Sequence, residues 1–359
     1  MIDATPLVLG DNNVWPFRLS SADGGGWLLV DAGIEHGAGA EGDPASWDAL
    51  VAQARAIGCA PEDVRVVVVT HEHIDHAGLA ARWARAGAAI VAMPEALPML
   101  VAGYPAYEAM RARRMRELRR HGCPPDVLEV LAARVRDRRV PTLDWTPCPR
   151  EALVAAQDGD TFALENGRTL HLIAAPGHTP GNLVAFVARE GATAGELCSG
   201  DTLLPHTIPT PGLQFPAIAI EFAAETGKQP ATDAPRWPSL PPFLRSVDRL
   251  RALQVRRILP GHGAVVEDPA RLFAQFTEHH ARRIGRVAAL LTRAETAGVT
   301  SYEVARGLFP RLPAARIGQA LTEIIGHLDV LQERGEALQA ADADGVVRTR
   351  SRTEQGRAG

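Results

Sequence analysis

The chain has 359 residues, 46% of them hydrophobic, which is enough apolar material for one large core with an accessory segment. A formal net charge of -4 gives no global pull toward nucleic acid or a membrane surface. No apolar run approaches the roughly 20 residues of a spanning helix, and Met1-Ile2-Asp3-Ala4 lacks the basic segment and apolar core of an export signal, so the expected compartment is the cytoplasm. Cys59, Cys123, Cys148 and Cys198 are scattered without a Cys-x-x-Cys pair, which argues against both a disulfide framework and a thiolate zinc site.

Residues 7–34 read as two or three strands, with Asp23-Gly24-Gly25-Gly26 as the hairpin turn between Phe17-Arg18-Leu19 and Trp27-Leu28-Leu29-Val30. Asp31-Ala32-Gly33 ends the last of them. An amphipathic helix over 46–57 leads to Val66-Val67-Val68-Val69, a β-branched run that reads as a strand buried on both faces. Directly after it, Thr70-His71-Glu72-His73-Ile74-Asp75-His76 crowds imidazoles and carboxylates into one strand-end loop, where a rigid sheet usually carries chemistry. If that loop stays extended, His71, His73 and Asp75 cannot all reach one ion, and His76 faces elsewhere. The pattern therefore suits two adjacent metals better than one. A helix over 78–86 and a strand over 88–92 follow, and strand, helix and strand in succession indicate an α/β protein.

Three later points repeat the strand-end context. Leu170 to Ala174 precedes Ala175-Pro176-Gly177-His178-Thr179-Pro180-Gly181; a run ending in Cys198 precedes Ser199-Gly200-Asp201-Thr202; Val255 to Leu259 precedes Pro260-Gly261-His262-Gly263. Glycine beside each His or Asp allows a tight turn.

Two segments carry no such ligands. Residues 95–150 form a helical insertion with Arg111, Arg113, Arg114, Arg116, Arg119 and Arg120 in one stretch and Arg134, Arg136, Arg138 and Arg139 in another. Its apolar side, with Tyr104, Tyr107, Met110, Met115 and Leu118, reads either as a lid whose arginines meet an anionic substrate or as a solvated helix face. The proline-rich stretch 203–242 lacks periodicity and begins beside Asp201, so it should pass the metals. It offers His206 as a catalytic candidate and Phe215, Phe222 and Trp237 as pocket walls.

From about Pro269 the pattern changes. A long amphipathic helix over 270–294, a capped start at Thr300-Ser301-Tyr302-Glu303, a helix over 313–333 and a hairpin over 336–350 turning at Asp344-Gly345 are expected, followed by a polar, disordered tail. Arginines and acids balance beyond residue 300, so this module reads as a packing or dimer-forming element rather than a nucleic-acid reader.

The set His71, His73, Asp75, His76, His178, Asp201 and His262, in this order, resembles the metallo-β-lactamase superfamily, in the hydrolase branch that includes glyoxalase II-like enzymes. The resemblance covers about residues 5–270. It implies a four-layered αββα sandwich over 1–269, with the helical insertion and the proline-rich active-site loop inside it. A winged-helix-like appendage over 270–350 and a tail over 351–359 would follow. By that resemblance His71, His73 and His178 hold one zinc, Asp75, His76 and His262 hold the second, Asp201 bridges them, and Asp31 supports the site from behind. Imidazole and carboxylate donors without thiolate fit catalytic zinc, and also iron or manganese. Two such ions roughly 3.5–4 Å apart would share a hydroxide nucleophile, with Asp75, Asp201 and His206 as the catalytic candidates. No Gly-x-Ser-x-Gly elbow competes for that role. The expected activity is hydrolysis of a small acyl substrate, most plausibly a thioester or ester. Alternatives are phosphodiester or RNA cleavage, lactone opening, hydrolytic dehalogenation and a non-hydrolytic sensor. Leu204 stands where the superfamily's acyl-homoserine lactonases place a tyrosine, which lowers the lactonase reading.

Overall fold

The computed structural model describes residues 5–21, 24–35, 45–137, 145–216, 236–293 and 297–352, with the backbone alone over 134–137. Asp23, Phe222, Arg138, Arg139, the side chains of Arg134 and Arg136, and residues 353–359 of the tail lie outside what is described.

Two sheets are built from strands between residues 7 and 260. The first contains β1 (Leu7–Leu9), β2 (Asn12–Arg18), β3 (Trp27–Val30), β4 (Val64–Val68), β5 (Ala89–Ala92) and β6 (Leu153–Ala155), in that order, with β1 to β3 antiparallel and β3 to β6 parallel. The second contains β7 (Thr161–Leu164), β8 (Arg168–Ala174), β9 (Leu183–Arg189), β10 (Ala194–Gly200) and β11 (Gln254–Pro260). Its order is β11-β10-β9-β8-β7, and only the β10–β11 pair is parallel.

Side-chain alternation explains why the sheets stack. Leu28 and Val30 of β3, Val68 of β4 and Val91 of β5 meet Leu183, Ala185 and Val187 of β9 and Leu170 and Leu172 of β8 in one cluster between the sheets. The alternate residues face outward. Trp27, Leu29, Val67 and Ile90 pack under Leu50 and Ala54 of α1 (Ser46–Ala56), Ala77 of the single turn α2 (Ile74–Ala77), Trp83 of α3 (Ala80–Arg85) and Leu100 of α4 (Leu97–Ala102). A helix, sheet, sheet, helix stack is thus built from strands whose two faces are both apolar.

The outer face of the second sheet is covered differently. The insertion supplies α5 (Tyr104–Arg120) and α6 (Pro125–Asp137), the end of the proline-rich stretch supplies α7 (Leu240–Arg251), and the C-terminal part supplies α8 (Pro269–Leu291), α9 (Ser301–Leu308) and α10 (Ile317–Glu333). Leu118, Val127, Phe243, Phe276, Leu321 and Ile324 join Val184 and Phe186 of β9 in one apolar cluster, so insertion, second sheet and C-terminal helices share a core. The small antiparallel sheet β12 (Val299–Thr300), β14 (Val347–Ser351) and β13 (Ala337–Ala341) completes the molecule. Among the described residues, no helix is long and apolar enough to cross a membrane.

The loop expected over 203–242 ends early, because α7 begins at Leu240. Pro241 and Pro242 fall in the first turn, whose N–H groups have no intrahelical acceptor, so the prolines cost nothing there. The capped start at Thr300 has the full reciprocal box with Glu303, and the hairpin turn falls between β13 and β14.

Candidate metal centre

Four connections at one edge of the sandwich bring the sequence-derived residues together. After β4 the chain bends through His71 and Glu72, and His73, still extended, precedes the one turn of α2 that carries Asp75 and His76. The loop is therefore not extended throughout, and it directs Asp75 away from His71 and His73. His178 lies between β8 and β9, Asp201 follows β10, and His262 follows β11.

They form two groups. His71, His73, His178 and Asp201 make one, Asp75, His76 and His262 the other, and within each group the donor atoms lie within 4.8 Å of one another. In the first, His73 Nδ1 is 3.0 Å from both His71 Nε2 and His178 Nε2. In the second, His262 Nε2 is 3.2 Å from His76 Nε2 and 3.3 Å from Asp75 Oδ2. Asp201 spans the groups, with Oδ2 3.6 Å from His178 Nε2 and Oδ1 3.3 Å from His76 Nε2 and 3.4 Å from His262 Nε2.

Such convergence fits a cation. Three ring nitrogens facing one another cannot all be satisfied by shared protons, whereas tetrahedral bonds of about 2.0–2.1 Å to one ion would place them about 3.3 Å apart. Buried Asp201 Oδ1 also lacks a hydrogen-bond partner.

The supporting shell fixes which atoms point inward. Asp31 Oδ2 accepts from His76 Nδ1 at 2.8 Å, leaving Nε2 for the site, while Asp31 Oδ1 accepts from the Thr70 backbone at 2.8 Å. Asp31 adopts a φ of 69°, a left-handed conformation uncommon outside glycine. Thr70 Oγ1 lies 3.0 Å from His71 Nδ1. Asn13 and Trp15 of β2 both donate to Pro260 O at 3.0 Å, and Asn12 donates to Asp75 O at 3.1 Å, so one strand holds the His262 and Asp75 backbones. Gly200 and Gly261 meet the site with no room for a side chain; a Cβ on Gly261 would stand 2.6 Å from His76 Cε1.

Burial and mutual repulsion keep the first group's imidazoles neutral: His71 is pushed well down, His73 down, and His178 down to about 3. Burial opposes ionisation of Asp75 and Asp201 too, yet the surrounding imidazoles hold both below the usual carboxylate range. Burial likewise disfavours a charged His76, but Asp31 and Asp201 raise it well above its ordinary value. In the first group, neutral imidazoles beside the ionised Asp201 are what a divalent cation takes; in the second, a cation would displace the protons that the neighbouring carboxylates favour on His76 and His262.

A cavity of about 470 Å³ opens beside His73 and His178. Met99, Met110, Leu204, Leu213 and Phe215 give it apolar walls, and Tyr107, Arg111 and Arg114 of α5 line it, so the insertion faces the site. The described part of the proline-rich stretch, from Leu204 to Phe215, runs along this cavity, and Gln214 Nε2 donates to His178 O. Half-buried Trp237 forms a backbone bridge with Gln214 and is not among the residues that line the cavity. His206 is exposed, belongs to neither group, and lies against Gly263 on the His262 side.

Sequence reasoning missed several supports. Glu72, in the motif but given no role, is buried, accepts from Thr179 Oγ1 at 2.6 Å and is pushed by burial up to about 7. The Asn12-Asn13-Val14-Trp15 polar residues inside an apolar strand were the available signal for the β2 contacts. Thr322, which reaches the cavity from α10, had none.

An αββα sandwich with paired histidine and carboxylate groups at its strand ends defines a class of metal-dependent proteins. The family model described as the metallo-beta-lactamase superfamily matches residues 9–262, and the chain belongs to that superfamily. It is 24% identical over 329 residues to the "probable metallo-hydrolase YqjP" of Bacillus subtilis, covering 91% of this chain and 90% of that one. It is 22% identical over 182 residues to the "lactamase-like protein nscB" of Aspergillus fumigatus, 47% of this chain and 46% of that one. Two crystal structures share the fold at a TM-score of 0.66. A metallo-beta-lactamase family protein from Thermus thermophilus is 24% identical, over 97% of this chain and 98% of its own. A beta-lactamase domain protein from Burkholderia ambifaria is 21% identical, over 97% of this chain and 91% of its own.

Proposed function

We propose that this chain is a dinuclear metal-dependent hydrolase that cleaves a small acyl substrate, a thioester or ester, in the glyoxalase II-like branch of its superfamily. The observation that carries the reading is Asp201, which presents one carboxylate oxygen to each of two histidine groups. His71, His73 and His178 would hold one cation, Asp75, His76 and His262 the other, and Asp201 both. Zinc suits these donors best, and iron and manganese accept them too. Bound there, the ions supply Lewis acidity toward a carbonyl and a water acidified to near neutrality.

The chain's own residues do the rest. Asp75, partly open to solvent and held through His262, is placed to orient the attacking water and pass its proton to the leaving group. Asp31 keeps His76 in the tautomer that points Nε2 inward. The apolar cavity walls exclude water around an acyl chain, which supports an acyl substrate. His206, at the rim beside His262, fits a leaving-group contact rather than attack on the acyl carbon.

The C-terminal helices and hairpin resemble a winged helix in composition, and we assign them a packing role, supported by the burial of α10 against the second sheet and α7. Turnover on an acyl-thioester, a lactone, a chromogenic β-lactam, a phosphodiester and a short single-stranded RNA tests the reading. Thioester or ester cleavage is expected. Cleavage of phosphodiester or RNA alone would overturn it.

A further inference from the structure

Arg114 differs from several of the molecule's other half-buried and buried arginines. Arg236 pairs with Asp329, Arg257 with Glu196 and Arg283 with Glu323, while Arg113 stacks on Phe215 at 4.7 Å. Arg114 lines the cavity beside His73 and His178, and no carboxylate among the described residues pairs with it. Its guanidinium donates from Nη2 to Thr322 Oγ1 at 2.7 Å. Thr322 donates its own hydroxyl to Gly318 O at 2.9 Å, so the lone pair aimed at the guanidinium is fixed by α10. A guanidinium seated this firmly among Met99, Met110, Leu213 and Phe215 is costly unless an anion completes it. Its planar fork matches a carboxylate.

We propose that Arg114 recognises a free carboxylate on the substrate, so that the substrate class is the half-thioester or half-ester of a dicarboxylic acid, with an apolar chain between its two ends. The proposal rests on the hydrolase reading above and sets its substrate class. The scissile carbonyl would lie toward His73 and His178, the chain along the apolar wall, and the free carboxylate at Arg114. Water adds its oxygen to the acyl carbon, the C–S or C–O bond breaks, and the departing thiol or alcohol takes a proton, leaving a dicarboxylate. Arg111, the cavity's other arginine, lies over the Tyr107 ring at 5.8 Å, so the free carboxylate is assigned to Arg114, which Thr322 holds in place.

Calorimetric titration of the metal-loaded protein with succinate, glutarate, adipate, pimelate and suberate, beside hexanoate and ω-phosphohexanoate, tests this without turnover. At least one dicarboxylate should bind about ten-fold or more tightly than hexanoate. Arg114→Gln should abolish that advantage, Arg114→Lys should keep part of it, and Thr322→Val should lower it while retaining the charge. No dicarboxylate advantage in the unaltered protein, or an advantage that survives Arg114→Gln, overturns the proposal. Tighter binding of ω-phosphohexanoate than of adipate overturns the carboxylate assignment. Should Arg114→Gln not fold, Thr322→Val decides, since an unchanged dicarboxylate advantage there also counts against the proposal. Failure of the hydrolase reading would look different: dicarboxylates would bind through Arg114, yet the adipate half-thioester would not be cleaved.

Discussion

Asp31 and Gly261 each act on the site through a neighbour. Asp31 accepts from His76 Nδ1 and from the Thr70 backbone while holding a left-handed φ that asparagine also tolerates. Asp31→Asn therefore leaves the backbone intact but weakens its hold on the imidazole, and metal affinity should fall about 10–100-fold with the unfolding midpoint of the metal-free protein nearly unchanged. Competition with a chromophoric chelator reads this, and unaltered affinity would remove Asp31 from the site's support. At Gly261 a methyl group would stand 2.6 Å from His76 Cε1 and 3.0 Å from Asp201 Oδ1. Gly261→Ala should displace both and empty the second group first, so metal content should fall toward one ion per chain. Full loading of this variant would show that the loop has slack the structure does not display.

At the scale of elements, the loops that carry the two donor groups were legible because each joins an apolar run to a chemically conspicuous residue, with a glycine beside it in the last three. The four strand-end positions emerged from local pattern alone, and so did the αβ alternation. The β2 contacts were not legible, since Asn12, Asn13 and Trp15 act through hydrogen bonds to backbones about 60 and 250 residues away in sequence. Nor could periodicity reveal that α5 points Arg114 inward while Arg116 and Arg119 face solvent, because the proline-rich stretch and α10 define that side. The start of α9 was legible in Thr300-Ser301-Tyr302-Glu303, a local signal with a local cause. Thr300→Ala removes the acceptor for the Glu303 backbone and should cost about 1 kcal/mol, visible in the denaturant midpoint, with metal content unchanged. A simultaneous loss of metal would mean that the C-terminal helices and the site are coupled more tightly than their shared core requires.

Across the whole molecule, three buried histidines sit in the contacts of the C-terminal helices, one with the insertion and two with each other. His121 of the insertion faces Ser301 Oγ at 2.9 Å, and His280 Nδ1 faces His327 Nε2 at 3.2 Å between α8 and α10. Burial pushes His121 and His280 down to about 3 and His327 down to about 4, with Arg236 and Arg120 adding to the effect on His121, and Arg283 and His279 to the effect on the other pair. All three are neutral in the fold, so the unfolded chain binds protons first as pH falls below the ordinary 6.5. Stability is complete above that value and is lost progressively toward pH 4, by up to about 1.4 kcal/mol per pH unit for each histidine. Chemical denaturation between pH 7.5 and 4.5 should show the decline, and His327→Gln should flatten it. An equally steep decline in that variant would place the acid sensitivity elsewhere.

The two donor groups and the carboxylate between them are the centre of this account, and metal stoichiometry reads them directly. Elemental analysis of the purified chain beside Asp201→Ala should give about two ions per chain in the first, and one or none in the second with nearly all turnover lost. Two ions and full turnover in Asp201→Ala, or no more than one ion in the unaltered protein, would contradict it.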